Sequence, residues 1–510
     1  MSDETRKAGM TRRDLLRLGA VGAGVLVAGC QPKIVEVTTV VEKVVKETVE
    51  VEVEVEKVVK ETAIVEKVVE KEVTRVVEVE KAPEVRVQGS FWVLQKKDFF
   101  PAMNDWWRAE MSAFCKERGW PLDITYEAGY TVGTPFQEKL AAAAAAGTPA
   151  DILMHDSSIT NLRRLQVLDP VTDLVEEAIE KWGDTNARAK MDYILDDQWW
   201  AVPYFCRSDG GWFVRSVWEA KGIDIHKVRL FTDMWEACLE VSDPEKELYG
   251  WGITINASND GNWFRSRVTH GWGAYIQDET GQYCTFNSPE MVEAMTQMTR
   301  IYLDEKYAPM LPPGVLAWTD MSNNEAYLAG KLAYTFNGGT VYGKAILDNN
   351  PIKDDTGFHA PPGGPVHTEF NSLGHNNFML LKGARNPDAA REAVRHFVLD
   401  LEMMDGIYAN APGFALPCYE KLWRESKYIP TNQVAMEQEP VAMSPAGDQV
   451  PQTYPGPAHN PALAAAGSAG IQNDMVADIL RGTSVADAVK TCHDRYVQIF
   501  KEFDLPGEKA

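Results

Sequence analysis

The chain has 510 residues, is 45% hydrophobic and 25% charged, and carries a formal net charge of −23. That composition excludes a disordered or collagen-like chain, and the length suits two lobes or domains better than one small core. The acidity argues against a nucleic-acid partner, because phosphate backbones are bound through basic patches.

The charge is unevenly spread. Residues 1–30 hold 5 basic and 3 acidic groups, and residues 31–84 hold 9 and 14. The remainder holds 37 and 57, a balance of −20, together with all 15 Trp. The first stretch runs Thr11-Arg12-Arg13-Asp14-Leu15-Leu16-Arg17, then a small apolar segment from Leu18 to Ala28, and ends Leu26-Val27-Ala28-Gly29-Cys30. A charged start, a short apolar run and small residues before a break are features of a secretory signal. The run is too short for a bilayer-spanning helix, which needs roughly 20 residues. The paired arginines resemble a twin-arginine export signal, with Leu15 where Phe is usual. Leu-Val-Ala-Gly-Cys resembles a bacterial lipobox, which implies lipid attachment at Cys30. Residues 1–30 are therefore expected to be an export signal, leaving the mature chain outside the cell or in the periplasm and held to the membrane by its lipid.

From about Lys33 to Lys81 the sequence is nearly all Val, Glu, Lys and Thr, with no Gly and no aromatic residue. The octet Val-Glu-Lys-Val-Val-Lys-Glu-Thr occurs at Val41–Thr48 and again at Val55–Thr62, two heptads later. With Val41 at position a, Val44, Thr48, Val51, Val55 and Val58 continue an a/d seam, as in a coiled coil. The strict alternation from Val49 to Val55 favours a strand instead. A helix would reach ~80 Å at 1.5 Å per residue, and an extended chain about twice that. Both readings make residues 31–84 a spacer between membrane and body, and the seam adds self-association as a sharper alternative.

Beyond Pro83 strands and helices alternate, the pattern of an α/β protein. Val85–Leu94 is rich in β formers and reads as a strand. A helix follows from about Met103 to Arg118, then a strand at Leu122–Tyr126. Phe136–Ala146 is a helix with six consecutive alanines, stopped by Gly147-Thr148-Pro149. Asp151–His155 is a short buried strand that opens into Asp156-Ser157-Ser158. In open α/β sheets ligands bind at the carboxyl ends of strands, and a helix cap explains the same three residues equally simply.

This order of elements, with Phe136-Gln137-Glu138-Lys139-Leu140, Gly147-Thr148-Pro149-Ala150-Asp151-Ile152 and Leu165–Pro170, is similar to the extracellular solute-binding proteins of family 1. Those are the capture subunits of bacterial ABC importers, mostly for sugars. The resemblance continues in Trp200-Ala201-Val202-Pro203-Tyr204, Ala326–Ala333 with Asn337-Gly338-Gly339, Gly383–Ala390 and Leu480–Ser484. It covers most of residues 85–500; no single segment is specific, but the ordered set is. It implies an α/β, two-lobed periplasmic-binding-protein type II fold with hinge strands, one lobe at 85–204 plus 371–412 and the other at 205–370 plus 413–510. The second crossing is expected at Phe370–Leu381 and the third near Gly413–Pro417.

A sugar presents apolar CH faces and hydroxyl edges, so its site needs aromatic platforms and a few oriented polar groups. The positions that the resemblance implies are Gln95 after the first strand, His155, Asp156, Ser157 and Ser158 after the third, and Tyr204 and Arg207 at the first hinge. Trp263, then Asn337, Gly338, Gly339 and Thr340, and finally Asn371, His375 and Asn376 at the second crossing complete the set. Thr340 stands where the family often has an aromatic. Packing explains Trp263 as simply as a ligand does, a polar turn explains His375 and Asn376, and a plain turn explains Gly338-Gly339.

Gly338–Ala345 fits the spacing of a phosphate-binding loop but ends in Ala345, where Ser or Thr must ligate magnesium. No metalloprotease helix motif, nucleophile elbow or calcium loop is present in the sequence. No cofactor or metal site is expected, and no catalytic residue is assigned. Cys115, Cys206, Cys238, Cys284, Cys418 and Cys492 allow 15 pairings, although buried free thiols are the simpler expectation. The reading that results is a receptor that closes on a small solute, a sugar by preference, and presents it to the membrane subunits of an ABC permease. The alternative is a surface-tethered hydrolase or lyase using a carboxylate pair.

Overall fold

The computed structural model describes residues 85–127, 136–255 and 257–509. The chain divides into two units, Met1–Glu84 and Val85–Ala510. The segments expected to be an export signal and a spacer, with Cys30, all lie outside the described residues.

The body is built on two sheets. The first holds β1 (Phe91–Lys96), β2 (Leu122–Glu127), β3 (Ile152–His155), β4 (Leu168–Asp169), β7 (Val202–Ser208) and β11 (Leu373–Leu381). A small hairpin, β5 (Ile194–Leu195) and β6 (Gln198–Trp199), stands apart from it. The second sheet holds β8 (Gly210–Val214), β9 (Tyr334–Asn337) and β10 (Thr356–His359), in the order β10-β8-β9. β7 and β8 are separated by Asp209 alone, so one almost continuous extended segment serves both sheets.

In the first sheet β1 pairs in parallel with β2 and with β3. Parallel neighbours need crossover connections, and the helices Pro101–Glu117 and Phe136–Ala145 supply them. The sequence-based boundaries hold closely except at β1, which starts at Phe91 and not at Val85. Gly89 turns the chain with φ of +76°, and the ladder begins only where a partner exists, at Phe91 opposite Leu122. β11 runs antiparallel to β3 on one side and to β7 on the other. Its first residues therefore lie beside the carboxyl ends of β3 and β7.

Apolar burial holds these layers together, at roughly 25 cal/mol per Å² removed from water. Phe91, Val93, Trp107, Ile152, Leu153, Phe378 and Phe397 form the core beneath the first sheet. Trp107 sits at its centre, edge-on to Tyr204, Phe378 and Phe397. Trp235, Trp251, Phe264, Met295 and Met298 form a second core, closed by Val489, Tyr496 and Phe500 of the last helix. The helix Gln433–Ala442 spans the two sheets: Val434 and Ala435 enter the first core, and Glu437 accepts from the Phe358 N–H of β10. All six cysteines of the body are buried free thiols. Among the described residues no helix is long and apolar enough to cross a membrane.

Candidate functional site

The strand directions bring several chain segments to one place. β1 and β3 end side by side at the point where strand order reverses, where open α/β sheets bind ligands. Lys96, at the end of β1, reaches Asp156, just past β3, at 2.5 Å. Arg207, near the end of β7, donates to the same Asp156 oxygen at 3.0 Å and to Asn376 of β11 at 2.7 Å. The Arg207 guanidinium lies flat along β11 because residue 374 is glycine: a Cβ there would stand 2.9 Å from its central carbon. His155 Nδ1 lies 3.2 Å from Asp156 and 2.8 Å from Ser157 Oγ, and its ring stacks on Phe136. Burial alone would raise the Asp156 carboxyl, but Lys96, His155 and Arg207 outweigh it and hold it well below the usual carboxylate range.

From the second sheet, β9 ends at Asn337, opposite Gly210 at the start of β8, and β10 ends at His359, opposite Gly211. The carboxyl ends of β9 and β10 thus meet the end of β7 around Asp209. Asp209 is 5% exposed, and its Oδ2 has no hydrogen-bond partner. Burial pushes its carboxyl up to about 7, against the pull of Arg207, Arg267 and Arg188. Asp98, past the end of β1, is likewise pushed up by burial to about 6. Gly338 faces this crossing, near the Asp209 and Arg207 side chains and Phe414.

The sequence-derived positions divide into three groups. Asp156, Arg207, Asn376, His155, Ser157 and Gly338 come together at the crossing. Gln95 is buried beside Lys96, and Tyr204 lies in the first core with its hydroxyl on Asn376.

A second group has its polar atoms occupied by the protein itself. Asn337 Oδ1 accepts from the Gly339 and Thr340 N–H groups at 2.9 and 2.8 Å, and its Nδ2 donates to Asp260 at 3.2 Å. Thr340 Oγ1 donates to Asn337 and Asn324. Gly339 takes φ of +99° to begin the helix Thr340–Leu347. The amides that a phosphate-binding loop would offer are therefore taken by Asn337. His375 bonds Asn186 at 3.0 Å and packs edge-on to Tyr193, and its ring is held neutral chiefly by burial.

A third group stands apart in its bonding. The Asn371 backbone is tied to Asp448 and Val450, and the exposed Ser158 starts the helix Ile159–Arg164 without a side-chain cap bond. Trp263 is half-buried against the second core. It lies on the helix Asn259–Gly271, between Asp260 and Arg267, at i, i+3 and i+7 spacing that places all three on one face.

Lys96 and Asp209 escape a reading by motif. One signal was available: from Val202 to Val214 the only charged residues are Arg207 and Asp209. Two surface hollows, one at Leu230, Trp272 and Glu293 and one at Lys181 and Arg395, are lined by none of the candidates. Among the described residues no group of three His, Cys, Asp or Glu could hold a metal ion.

No curated protein matches the chain. Solved structures share its fold. Maltose-bound MalE3 of T. maritima superposes with a TM-score of 0.66 at 16% identity, over 81% of this chain and 99% of that one. A solute-binding protein of Agrobacterium radiobacter K84 in complex with ribitol gives 0.66 at 13% identity, over 82% and 99%. A sugar transporter protein of Arthrobacter chlorophenolicus A6 with bound laminaribiose gives 0.65 at 15%, over 80% and 98%. These likenesses establish the two-lobed periplasmic-binding-protein fold. Residues 101–399 match the model of the bacterial extracellular solute-binding proteins, and the chain belongs to that family.

Proposed function

We propose that this protein is the receptor of an ABC-type importer, which captures a small extracellular saccharide between its lobes and delivers it to the permease. The observation that carries the reading is the convergence of strand ends from both sheets on the β7–β8 crossing, with Asp156, Arg207, Asn376 and Asp209 gathered there. Trp263, on the helix Asn259–Gly271, is the aromatic platform this reading assigns to the solute. The maltose and laminaribiose bound by two proteins of the same fold support a saccharide over other solutes.

The lobes take up residues 85–204 plus 371–412 and 205–370 plus 413–510. Binding needs no covalent step: a solute that touches both lobes favours the state in which both contacts are made. Cys30 would carry the lipid, and residues 31–84 would hold the body clear of the membrane.

Thermal melting across a panel of saccharides tests the reading. A ligand at 100 times its Kd adds ~2.7 kcal/mol of stability, and the solute must be recovered unchanged. Turnover of the bound saccharide would establish the hydrolase alternative instead. Trp263→Ala is expected to weaken the best ligand at least tenfold, and unchanged affinity would remove Trp263 from the site. Cys30→Ala is expected to release the protein from membranes into the soluble fraction.

A further inference from the structure

One histidine joins parts of the chain that the two-lobe reading assigns to opposite lobes. His459, half-buried just ahead of the helix Pro461–Ser468, uses both of its ring nitrogens. Nδ1 lies 2.9 Å from Thr160 Oγ1, and Nε2 lies 3.0 Å from the Ile194 carbonyl oxygen. A carbonyl only accepts, so Nε2 carries the proton, and in the neutral ring Nδ1 accepts from the Thr160 hydroxyl. Thr160 stands in the first turn of the helix Ile159–Arg164, which opens directly after Asp156, Ser157 and Ser158. The bridge therefore stands at the β3 end of the candidate site. A second contact joins the same two parts of the chain: the Arg164 guanidinium lies 5.5 Å from the centre of the Phe503 ring, just past the last helix.

His459 is held firmly on its own side. The neighbouring Asn460 donates to Gln277 Oε1 at 2.6 Å and to the Gly281 carbonyl at 3.0 Å, and its Oδ1 caps the helix Pro461–Ser468 through the Ala462 N–H. Ala462, Leu463 and Ala466 of that helix enter the second core, whereas Ile159 and Leu162 of the helix packed against it belong to the first. Each helix thus buries its apolar residues in its own core, and the bonds across the boundary are made by a histidine, a threonine and an arginine. A polar boundary of this kind parts at little hydrophobic cost, as between domains that move.

Resting on the two-lobe receptor reading, we propose that His459 is the clasp of the closed receptor. It holds Thr160 and Ile194 of one lobe from the other by protein contacts alone, so that the solute has to supply only part of the free energy of closure. Two hydrogen bonds of ordinary strength shift such an equilibrium by about 5- to 30-fold. His459 is on this account a positioning residue, which acts on the solute through lobe closure and not by touching it.

Small-angle scattering of the full chain without added solute tests the clasp, comparing the parent with His459→Ala and Thr160→Val. Both variants are expected to show a larger radius of gyration, because a greater share of molecules is open. Thr160→Val keeps the shape of the side chain and removes only its hydroxyl, so it decides the matter even where His459→Ala fails to fold. An unchanged radius with only a lower melting temperature would make the bridge a permanent packing contact and overturn the proposal. Isothermal titration with maltose and with laminaribiose supplies the second readout: each variant is expected to bind about fivefold more weakly or worse. Affinity equal to that of the parent would overturn the proposal too, and would leave the receptor reading standing. Failure of both sugars to bind the parent would count against the saccharide reading, while the scattering comparison, made without solute, still decides the clasp.

Discussion

Asp156 and Asp209 lie close in the fold, one past the end of β3 and the other between β7 and β8, yet their surroundings push them in opposite directions. Asp156 accepts from Lys96 and Arg207, so its ionised form is stabilised and its contribution is kept at neutral pH and lost only in strong acid. Removing it leaves two cations facing each other in a largely buried place. Asp156→Ala should cost about 3 kcal/mol, read from chemical denaturation at pH 7, and a change under 1 kcal/mol would mean that the bridges are ornamental. Asp209 has the reverse sign. Its folded pKa, about 7, lies above that of an unfolded aspartate, so the folded state binds the extra proton between about pH 4 and 7. Stability contributed by this group therefore falls as pH rises through that window, by up to about 4 kcal/mol if it acts alone. Asp209→Asn should flatten that decline, so that the variant gains on the parent in melting temperature at pH 7.5 and not at pH 4.5. Equal differences at both pH values would count against an ionisable Asp209.

At the scale of elements, the β7–β8 crossing depends on two small residues. A Cβ at Gly210 would stand 1.9 Å from the Phe358 ring, and one at Gly211 would stand 2.1 Å from the Tyr334 hydroxyl. Phe358 packs edge-on to Trp212, whose indole N–H holds the Asn337 carbonyl, so a shift there is passed to the end of β9. Gly210→Ala is expected to destabilise the fold by about 1–3 kcal/mol through overpacking. Gly467, in the helix Pro461–Ser468, has open space where a Cβ would go. Gly467→Ala should instead stabilise by about 0.5–1 kcal/mol from helix propensity, so urea midpoints of the two variants should move in opposite directions. The elements themselves were legible in sequence because their periodicity is local: the alanine run, its Gly-Thr-Pro stop and the strand Asp151–His155 all read correctly. Asp156 and Arg207 were legible because strand ends attract ligands. Asp209 was not, since no spacing along the chain announces that a carboxylate between two strands will be buried without a partner for one oxygen. Nor could spacing tell that the Asn337 side chain would be spent on starting the next helix.

Across the whole molecule, the two sheets are linked by the β7–β8 crossing and by side chains laid over it. Gln438, fully buried, accepts from Ser208 Oγ at 2.5 Å and donates to the Gly413 carbonyl at 2.9 Å, tying the end of β7 to the segment that begins at Gly413. Its removal leaves both groups buried without partners, which should cost about 1–3 kcal/mol. The consequence for binding is sharper than the loss of stability. A solute shifts the balance between open and closed states only by its difference in affinity for them, and moving from 1:99 to 99:1 needs about 10⁴-fold. If lobe closure supplies that difference, saturating solute should reduce the radius of gyration of the parent in small-angle scattering. Gln438→Ala, by loosening the coupling between crossings, should change solute affinity although Gln438 belongs to neither the aromatic nor the charged part of the site. An unchanged radius together with unchanged affinity in that variant would mean that the solute enters a rigid cleft, and the closure mechanism would fall while the site assignment stood.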